Sequence, residues 1–350
     1  MPIDSRTARA TLDRLLRTGS PAALAARLAP KDDTAAPARP RGATDVAPEA
    51  IARRWALLDA RPGATPASRD ALLDARALAD APAYARNVEY FMGTVKVPVG
   101  LAGPLRVNGT CAQGDYYVPL ATTEAALVAS YARGMQLLTE CGGASVALVD
   151  EGVCRAPAFA FRTIHEAGQF VAWVLGELDA LRAAAEATTR HGRLKDVRVT
   201  IEGNHVYLIC EFTTGDAAGQ NMATIATQAA CEHVLARCPV TPTHWYVEAN
   251  HSGDKKASAQ SFLSVRGRSV TAEVRIPAAV LERRLHTTPG RMMDYWQVSA
   301  LGGVLSGTIG VQGHYANGLA ALYLATGQDV ACVAESAVGV QAASASVSVR

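Results

Sequence analysis

The stretch Arg198-Val-Thr-Ile-Glu-Gly-Asn-His-Val-Tyr-Leu-Ile-Cys-Glu-Phe212 predicts an antiparallel pair of strands. Apolar and β-branched residues fill Arg198–Ile201 and His205–Phe212, and Gly203-Asn204 supplies the turn between them. Outward from this hairpin, the pattern predicts a strand and a helix before it and a helix and a strand after it, over Ala158–Arg162, Glu166–Leu181, Gly219–Ala236 and Thr243–Val247. This order of elements is typical of a compact α+β unit of the split βαβ type.

The flanking segments predict further elements. Val107-Asn-Gly-Thr110 is a hairpin signal that follows alternating apolar residues. Thr122 or Thr123 is a candidate cap for a helix that ends at Cys141-Gly-Gly143. The apolar stretch Leu301–Thr326 carries glycines three residues apart, which let neighbouring backbone approach closely. We therefore expect this stretch to form a helix buried at the centre of the larger domain.

The N-terminal region has a composition of its own. Residues 1–50 are rich in Ala, Pro and Arg, and we expect a short helix near Thr7–Arg17 and a mobile middle. From Pro48 to Arg86 the apolar spacing is helical, with breaks at Pro62-Gly63 and Pro66. This region is thus predicted to be partly flexible and then helical.

The composition is that of a soluble protein large enough for two or three domains, with 350 residues, 49% hydrophobic and 19% charged. A net charge of +2 gives no indication of nucleic acid or of an anionic membrane as a partner. No stretch has the ~20 consecutive apolar residues of a membrane helix, and the N-terminus lacks the apolar core of a signal peptide. The seven cysteines are scattered without metal-finger spacing, so we expect reduced thiols in a cytoplasmic protein and no metal site.

Charged side chains are concentrated in the run Glu248-Ala-Asn-His-Ser-Gly-Asp-Lys-Lys256. Two ammonium groups beside the Asp254 carboxylate are costly to bury, so such a cluster is typical of a site where negative charge develops on a substrate. Taken alone, a short charge run is more often a solvated loop. The other motifs of the chain decide between the two interpretations.

These motifs are Val97-Pro-Val-Gly-Leu-Ala-Gly-Pro-Leu105, Ala121-Thr-Thr-Glu-Ala-Ala-Leu-Val-Ala-Ser-Tyr-Ala-Arg-Gly134, Gly215-Asp-Ala-Ala-Gly-Gln-Asn-Met222, Gly313-His-Tyr-Ala-Asn317 and Gly327-Gln-Asp329. Together with the charged run, they resemble the catalytic part of 3-hydroxy-3-methylglutaryl-CoA (HMG-CoA) reductase. The resemblance extends from about Glu89 to about Gly339. Because the separated motifs occur in the same order as in that family, the resemblance is far more specific than any one of them.

The resemblance implies the reduction of a thioester to an alcohol by two hydride transfers, with release of CoA. The residue matching Lys255 would stabilise the oxyanion, because a fixed ammonium in a dry site does so better than water. The residue matching Glu124 would deliver protons if burial holds it protonated, and Asp329 would sit between the two. Three such groups in contact would titrate as one unit. Taken singly, each residue has a structural alternative. Glu124 would interact favourably with the dipole at a helix start, and Asp329 would cap a turn.

The resemblance also implies the contacts of the acyl group. Asn250, His314 and Asn317 would line its pocket, although a lone His in an apolar helix is more often a satisfied core residue. Asp254 and Lys256 belong to the same binding region. Lys256 would pair with the substrate carboxylate or with Glu248.

Contacts to the CoA moiety are implied at two further positions. Arg133 falls where the family binds the CoA phosphates, a role that suits a guanidinium, and its alternative is a surface position on a helix. Glu89 matches an acidic residue of the family's dimer-forming motif near the pantetheine arm. Tyr90 follows it where the family has Asn.

A predicted cofactor segment follows the second strand of the hairpin. Small residues open a helix there and let its N-terminus approach a dinucleotide, although a turn with a helix cap explains the same glycines, and the pattern is not a Rossmann unit. Thr189-Arg-His191 matches a segment that meets the adenosine 2′-phosphate. With Arg193 and Lys195 nearby it favours NADPH over NADH, and the alternative is a solvated basic loop. The resemblance thus implies NADPH contacts at Arg190, Asp216, Ala218, Gly219, Gln220 and Asn221.

The chain departs from the family pattern in several places. Ala160 stands where the family's acyl pocket has an Arg, with Arg162 two residues further on. Glu248 stands where a Ser helps to bind the acyl chain, and a carboxylate there would repel a substrate carboxylate. The family continues beyond the position of Arg350 to a His that protonates the CoA thiolate. The sequence is thus either a piece of a longer chain or a natural short form, and we expect slow turnover or none from these residues alone.

We therefore expect an α+β fold with three regions. These are an N-terminal region over 1–86, a large substrate- and CoA-binding domain over 87–157 and 246–350 around the central helix, and an inserted ferredoxin-like NADP-binding domain over 158–245. The leading interpretation of function is an oxidoreductase, an NADPH-dependent HMG-CoA reductase of the mevalonate pathway, acting as a homodimer or higher homo-oligomer in the cytoplasm. The alternatives are a reductase of a different acyl-CoA thioester and a catalytically impaired protein that binds acyl-CoA or NADPH. Neither nucleic acid nor a membrane is an expected partner.

Overall fold

The computed structural model describes residues 4–30, 37–59, 61 and 65–345 of the chain. It divides into two compact units, Met1–Lys96 and Val97–Arg350. The break expected at Pro62-Gly63, and part of the tract expected to be mobile, fall outside the described residues.

The first unit is helical. Its helices are α1 (Ser5–Leu16), α2 (Pro21–Leu28), α3 (Pro48–Asp59), α4 (Pro66–Leu72) and α5 (Ala75–Tyr84). A side-chain oxygen caps the start of α1, α2, α4 and α5, which satisfies N–H groups that the helix leaves unpaired. The core of the unit contains Ile51, Trp55, Ala81 and Phe91. The helices expected near Thr7–Arg17 and from Pro48 are confirmed.

The second unit is built on an eight-stranded sheet. Its strands are β1 (Val99–Gly109), β2 (Gln113–Ala121), β3 (Ala144–Arg155), β4 (Ala158–Ala160), β5 (Arg193–Glu202), β6 (His205–Thr213), β7 (His244–Tyr246) and β8 (Arg266–Glu273). The order is β2-β1-β3-β6-β4-β7, with β5 beside β6 and β8 beside β3. A separate two-stranded sheet pairs β9 (Gly310–Val311) with β10 (Gly339–Val340).

The helices of this unit are α6 (Leu127–Glu140), α7 (Ile164–Gly176), α8 (Leu178–Glu186), α9 (Gln220–Arg237), α10 (Ala278–Leu285), α11 (Pro289–Ser306), α12 (Tyr315–Ala325) and α13 (Val333–Ser336). Helices and a mostly antiparallel sheet together make the α+β fold that the sequence predicts. Only β1 and β3 in the large sheet run parallel among the described pairings.

The predicted hairpin is the β5–β6 pair, which closes at Glu202 and His205. β4 pairs antiparallel with both β6 and β7, so four strands follow the order β7-β4-β6-β5. That is the order of a split βαβ unit. Its core joins these strands to α7, α8 and α9, and it contains the fully buried Phe159, Phe170 and Val206. Burial of each such side chain contributes about 1.5–3 kcal/mol to the stability of the fold.

The start of α6 differs from the prediction. Ala126 precedes the helix with a φ of 66°, and no side chain caps the first turn. The Thr122 hydroxyl instead accepts the backbone N–H of Glu124 at 3.0 Å, so it closes a turn of its own before the helix begins. The predicted cap at Thr122 or Thr123 is therefore wrong. The predicted end of the helix, at Cys141, is confirmed.

The single buried helix expected over Leu301–Thr326 is also wrong. α11 ends where Gly307 takes a φ of 74°, Gly310 follows at 82° in β9, and α12 begins only after His314. Glycine adopts positive φ without strain. The glycines that were expected to let neighbouring backbone approach one face of a helix therefore end the helix instead. Close approach of backbone is nevertheless present, because a Cβ on Gly310 would collide with the Gly339 carbonyl. No residue of α11 is buried in this chain.

Three observations apply to the described residues as a whole. No helix among them is both long and apolar enough to cross a membrane. All seven cysteines lie within the described ranges and are free thiols. No group of His, Cys, Asp and Glu side chains in the described ranges is arranged to hold a metal ion.

Candidate active site

The charged run, residues 248–256, forms a loop between β7 and β8 that is fastened by its first residue. The Glu248 carboxylate accepts the backbone N–H of Ala156 at 3.1 Å and of Asn250 at 2.9 Å. It also accepts the Ser252 hydroxyl at 3.1 Å. The Glu248 oxygens therefore accept hydrogen bonds from its own loop and from Ala156. The sequence instead predicted that this carboxylate would repel the carboxylate of the substrate.

Several predicted site residues have unusual backbone conformations. Asn250 has a φ of 65° and Lys255 a φ of 55°, with Gly253 between them at 76°. His314, at the start of α12, has a φ of 59°. For residues other than glycine this left-handed region is uncommon, and such residues concentrate at functional sites. Three of the six non-glycine residues with positive φ in the described ranges are therefore predicted site residues, and the other three are Tyr90, Ala126 and His286.

Lys255 and Asp329 meet as the family resemblance implies. The Lys255 Nζ lies 2.8 Å from the Asp329 Oδ2, and the two side chains are 44% and 46% exposed. The Asp329 carboxylate also accepts the N–H of Ala331 at 3.0 Å and so caps the short 3-10 turn Val330–Cys332. The hydrogen bond from Lys255, and then that from the Ala331 N–H, hold the pKa of Asp329 below its ordinary value, although partial burial opposes this. Asp329 thus stays ionised and fixes the ammonium of Lys255.

Glu124 belongs to a different contact group. Its Oε1 accepts the Asn317 side-chain amide at 3.5 Å. The Asn317 backbone N–H donates to the carbonyl of His314 at 3.1 Å, and the Tyr131 hydroxyl donates to the same carbonyl at 3.2 Å. The predicted residues therefore form two sets, one at the start of α12 and one in the charged loop. Asp329 was expected to sit between Glu124 and Lys255, and among the described residues it contacts Lys255 but not Glu124.

The Asp254 carboxylate lies among buried and half-buried charged side chains. Arg155 and Arg266 lie 3.6 Å and 3.7 Å from its carboxylate oxygens, and both arginine side chains are only 9% exposed. The Gln220 side-chain amide donates to the same carboxylate at 3.1 Å and 3.2 Å. Lys256 donates to the Asp254 backbone carbonyl at 2.7 Å. Sequence reasoning assigned Asp254 and Lys256 to the substrate and missed both arginines, because a single Arg at a strand end gives no sign of burial.

The two predicted cofactor segments lie side by side. Gly192, just after the Thr189-Arg-His191 turn, packs so closely on Met222 of α9 that a Cβ at this position would collide with the methionine sulfur. α9 begins at Gln220 after Gly219, which has a φ of 72°, and no described side chain caps its first turn. Uncapped N–H groups at a helix start attract phosphate. The arrangement can therefore hold a dinucleotide between a basic turn and a helix N-terminus.

The basic residues near this turn are not equally available. Arg193 lies 3.8 Å from a carboxylate of α8. Lys195 lies 2.5 Å from Asp150 and 2.9 Å from Glu211, and these two hydrogen bonds raise its pKa to about 12. Arg190 is exposed, and no carboxylate in the described ranges pairs with it. Of these three basic side chains, that of Arg190 is the most available to bind an anion from solution.

The remaining residues that the sequence analysis singled out differ in their exposure to solvent. Arg133 is an exposed residue of α6, and Glu89 is an exposed residue of the first unit. Tyr90 follows Glu89 with a φ of 55°. Ala160 is 3% exposed within β4, and Arg162 is exposed just beyond that strand.

Comparisons with known proteins bear on the family. The family model described as hydroxymethylglutaryl-coenzyme A reductase matches residues 50–348. A 3-hydroxy-3-methylglutaryl-coenzyme A reductase of Methanothermobacter thermautotrophicus is 42% identical over 265 residues, which are 73% of this chain and 64% of the relative. The enzyme of that name from Haloferax volcanii is 43% identical over 251 residues, 71% of this chain and 62% of the relative. The chain thus spans less than two thirds of the length of these relatives.

The fold has counterparts among solved structures. A class II 3-hydroxy-3-methylglutaryl-CoA reductase from Streptococcus pneumoniae, bound to NADPH in open conformations, matches with a TM-score of 0.54 at 19% identity. The match covers 79% of this chain and 72% of that one. The fold and the family predicted from the motifs are therefore confirmed, the first by this likeness and the second by the family model and the archaeal relatives. The chain belongs to the hydroxymethylglutaryl-coenzyme A reductase family.

Proposed function

We propose that this chain carries the catalytic chemistry of an NADPH-dependent HMG-CoA reductase, which reduces HMG-CoA to mevalonate and releases CoA. The observation that carries the proposal is the 2.8 Å ion pair of Lys255 with Asp329, formed between two motifs far apart in the sequence. The archaeal relatives bear the name of that activity, and they share about two fifths of the aligned residues with this chain, 42% and 43%.

In this proposal Lys255 stabilises the oxyanion that forms on the thioester carbonyl. An ammonium already fixed by Asp329 needs no reorganisation when negative charge develops, which is the basis of electrostatic catalysis. Glu124 delivers protons from the side of Asn317, whose amide lies 3.5 Å from its carboxylate. The two sets of residues would then act on the same reacting carbon from different elements.

The substrate contacts follow the family pattern. Lys256 is proposed to bind the distal carboxylate, because its side chain is exposed. Its ammonium has three N–H donors, and the Asp254 carbonyl accepts one of them. His314 and Asn317 share one helix start, which supports their place in a single polar pocket. The proposed contacts are Asn250, Asp254, Lys256, His314 and Asn317 for the acyl group, and Arg133 and Glu89 for CoA.

NADPH, which supplies the hydride when bound, fits the residues present at the start of α9. The uncapped first turn suits the pyrophosphate, and the close packing of Gly192 on Met222 puts the basic turn next to it. Arg190 is proposed to bind the 2′-phosphate through a charge-assisted hydrogen bond. The proposed backbone and side-chain contacts are Asp216, Ala218, Gly219, Gln220 and Asn221.

Arg190→Ala tests the choice of cofactor. A hydrogen bond to a charged group contributes about 1.5–3 kcal/mol, so NADPH affinity should fall roughly 10- to 100-fold, while NADH affinity changes little. Fluorescence titration of both cofactors measures this. Arg193→Ala is the matched control, because that guanidinium already lies near a carboxylate. Equal weakening of both cofactors by Arg190→Ala would remove the assignment.

We also propose a homodimer or higher homo-oligomer in the cytoplasm, without nucleic-acid or membrane partners. Support for assembly comes from a row of apolar side chains on α11 that are 62% to 87% exposed, Tyr295, Val298, Leu301, Val304 and Leu305. An apolar row of this size is normally covered. The split βαβ strand order supports the proposal that residues 158–245 form an inserted NADP-binding domain within a substrate-binding domain over 87–157 and 246–350, after an N-terminal region over 1–86.

A different acyl-CoA thioester is a second candidate substrate, favoured by the buried Ala160 where the family has an Arg. NADPH oxidation should be measured with HMG-CoA and with acyl-CoAs that lack the distal carboxylate. We expect HMG-CoA to be preferred at least about tenfold in kcat/KM, the amount of one charge-assisted contact. The reverse preference would favour the second candidate. NADPH binding without oxidation of any thioester would favour a binding protein with impaired catalysis.

A further inference from the structure

Glu335, in α13, is a buried carboxylate beside the charged loop. Its side chain is 1% exposed, and the Arg266 Nη2 lies 3.2 Å from its Oε1. Neither carboxylate oxygen has a hydrogen bond of good geometry within the described ranges. Burial raises the pKa of Glu335, and the positive charge of Arg266 opposes this shift. A carboxylate in such a place destabilises the fold unless it is paired, and Arg266 is the cation that pairs with it.

Arg266 connects this carboxylate to the loop. Its guanidinium faces Glu335 on one side, and its Nε lies 3.7 Å from the Asp254 Oδ1 on the other. Arg155 approaches the second oxygen of Asp254 at 3.6 Å. Asp254 is thus held between two guanidinium groups, and Glu335 fixes one of them. Both arginines are at strand ends, Arg155 the last residue of β3 and Arg266 the first of β8, so the sheet anchors the arrangement.

Lys255 directly follows Asp254 and has a φ of 55°. A residue in this conformation costs roughly 1–3 kcal/mol and persists only where its surroundings over-determine it. The two guanidinium groups that hold the side chain of the preceding residue, Asp254, provide that constraint. The conformation in turn directs the Lys255 side chain to Asp329.

We propose that Glu335 is a positioning residue for Lys255, which acts through Arg266 and Asp254 to keep the Lys255 ammonium on Asp329. The proposal rests on the proposed function of Lys255 and deepens it. Glu335 itself touches neither substrate nor cofactor in this scheme.

Glu335→Gln removes the charge and keeps the shape. Because this leaves Arg266 without its buried partner, the double variant Glu335→Gln with Arg266→Gln serves as a second form without a lone buried charge. We expect kcat for HMG-CoA reduction to fall at least about tenfold in both variants, while the KM values for HMG-CoA and NADPH stay within about threefold, since misplacement affects the transition state more than binding. Glu211→Gln is the matched control, a carboxylate with 9% exposure that pairs with Lys195.

A second readout does not depend on turnover. Acetylation of the lysines by an activated acetate ester, quantified by peptide mass spectrometry, reports whether Lys255 remains on Asp329. Lys96, which pairs with Asp74 in the first unit, is the internal reference. We expect Lys255 to react at least about threefold faster in both variants and at the wild-type rate in Glu211→Gln. The neutral amine attacks the ester, and it is more available once a carboxylate no longer holds the charged form of the side chain.

The two readouts separate failure of this proposal from failure of the proposed function. One possible outcome is that the wild-type chain oxidises no NADPH with HMG-CoA, while Lys255 is acetylated faster in both variants than in wild type. This outcome counts against the proposed function and supports the positioning role. An unchanged Lys255 acetylation rate in both variants overturns the positioning role, whatever happens to kcat. A wild-type kcat in both variants of an active enzyme overturns it as well.

Discussion

The split βαβ part of the molecule and the charged loop, residues 248–256, are held in place by different forces. In the first, Phe159, Phe170 and Val206 are fully buried among strands and helices in regular conformations. In the second, Lys255 and its partner Asp329 are about half exposed, 44% and 46%, and several backbone positions lie in the left-handed region. Hydrophobic burial stabilises one region, and directed polar contacts fix the other.

The difference shows how a strained site is kept in place by an unstrained scaffold. The loop is fixed by the hydrogen bonds of Glu248 and by ion pairs with side chains at the ends of β3 and β8, Arg155 and Arg266. Functional residues are commonly carried by loops on a rigid framework, because strain there is tolerated only when the framework supplies enough stability. Changes in the two regions should therefore have effects of different size and sign.

Phe170→Ala should give the largest effect on stability. The ring is fully buried and packs on Phe159 and Phe161 with centroids 5.0 Å and 4.9 Å away. Truncating such a residue costs about 3–5 kcal/mol, measured as the free energy of unfolding in urea. The matched control is Phe262→Ala, at a residue that is 51% exposed in the described chain, where about 1 kcal/mol or less is expected. Similar losses for the two variants would break the comparison.

The effect of an Ala→Gly substitution should change sign between a regular helix of the split βαβ part and a residue with positive φ elsewhere in the second unit. Ala167 is fully buried in α7, so glycine there should cost roughly 1–2 kcal/mol through lost helix propensity and a lost methyl group. Ala126 has a φ of 66° just before α6, so glycine should relieve strain. After the entropy cost of glycine is deducted, we expect it to be neutral or to stabilise by about 0.5 kcal/mol. Urea unfolding of both variants checks this, and destabilisation by Ala126→Gly would argue against strain there.

The smallest effect concerns the pH dependence of the Lys255–Asp329 pair. The pKa of Asp329 is lowered in the folded chain, chiefly by the Lys255 hydrogen bond. A depressed pKa stabilises the fold above the ordinary Asp value of about 3.9, and this contribution is lost as the pH falls through the folded-state value. The stability difference between wild type and Lys255→Ala, well under about 1 kcal/mol for so exposed a pair, should therefore shrink from about pH 6 to about pH 3. Growth of the difference with acidity would contradict the pairing.

Much of the scaffold could be predicted from the sequence because its signals are local. The β5–β6 hairpin follows from two apolar runs around Gly203-Asn204, and the boundaries of α9 lie within a residue of the prediction at each end. The stretch Leu301–Thr326 was predicted wrongly because glycine serves equally in a close helix contact and in a helix end. Only the positive φ of Gly307 and Gly310 in the folded chain decides between the two.

The site divides in the same way. Motifs named Lys255 and Asp329 together, and their contact in the structure follows that expectation. The buried partners Arg155, Arg266 and Glu335 were not predicted, since each is a single charge in an ordinary segment and only the tertiary fold brings them to Asp254. Sequence patterns therefore named candidate residues that come into contact, Lys255 and Asp329, but gave no information on what holds them.

The most direct test of the proposed chemistry is single-turnover oxidation of NADPH with HMG-CoA by wild type and by Lys255→Ala at saturating cofactor. If Lys255 stabilises the oxyanion, the variant should be slower by about 100-fold or more, in line with the loss of an oxyanion donor. Its NADPH affinity and its unfolding free energy should be almost unchanged, and Lys96→Ala, which breaks an ion pair in the first unit, should react at the wild-type rate. A Lys255→Ala variant that reduces HMG-CoA at close to the wild-type rate would contradict the central role given to this residue.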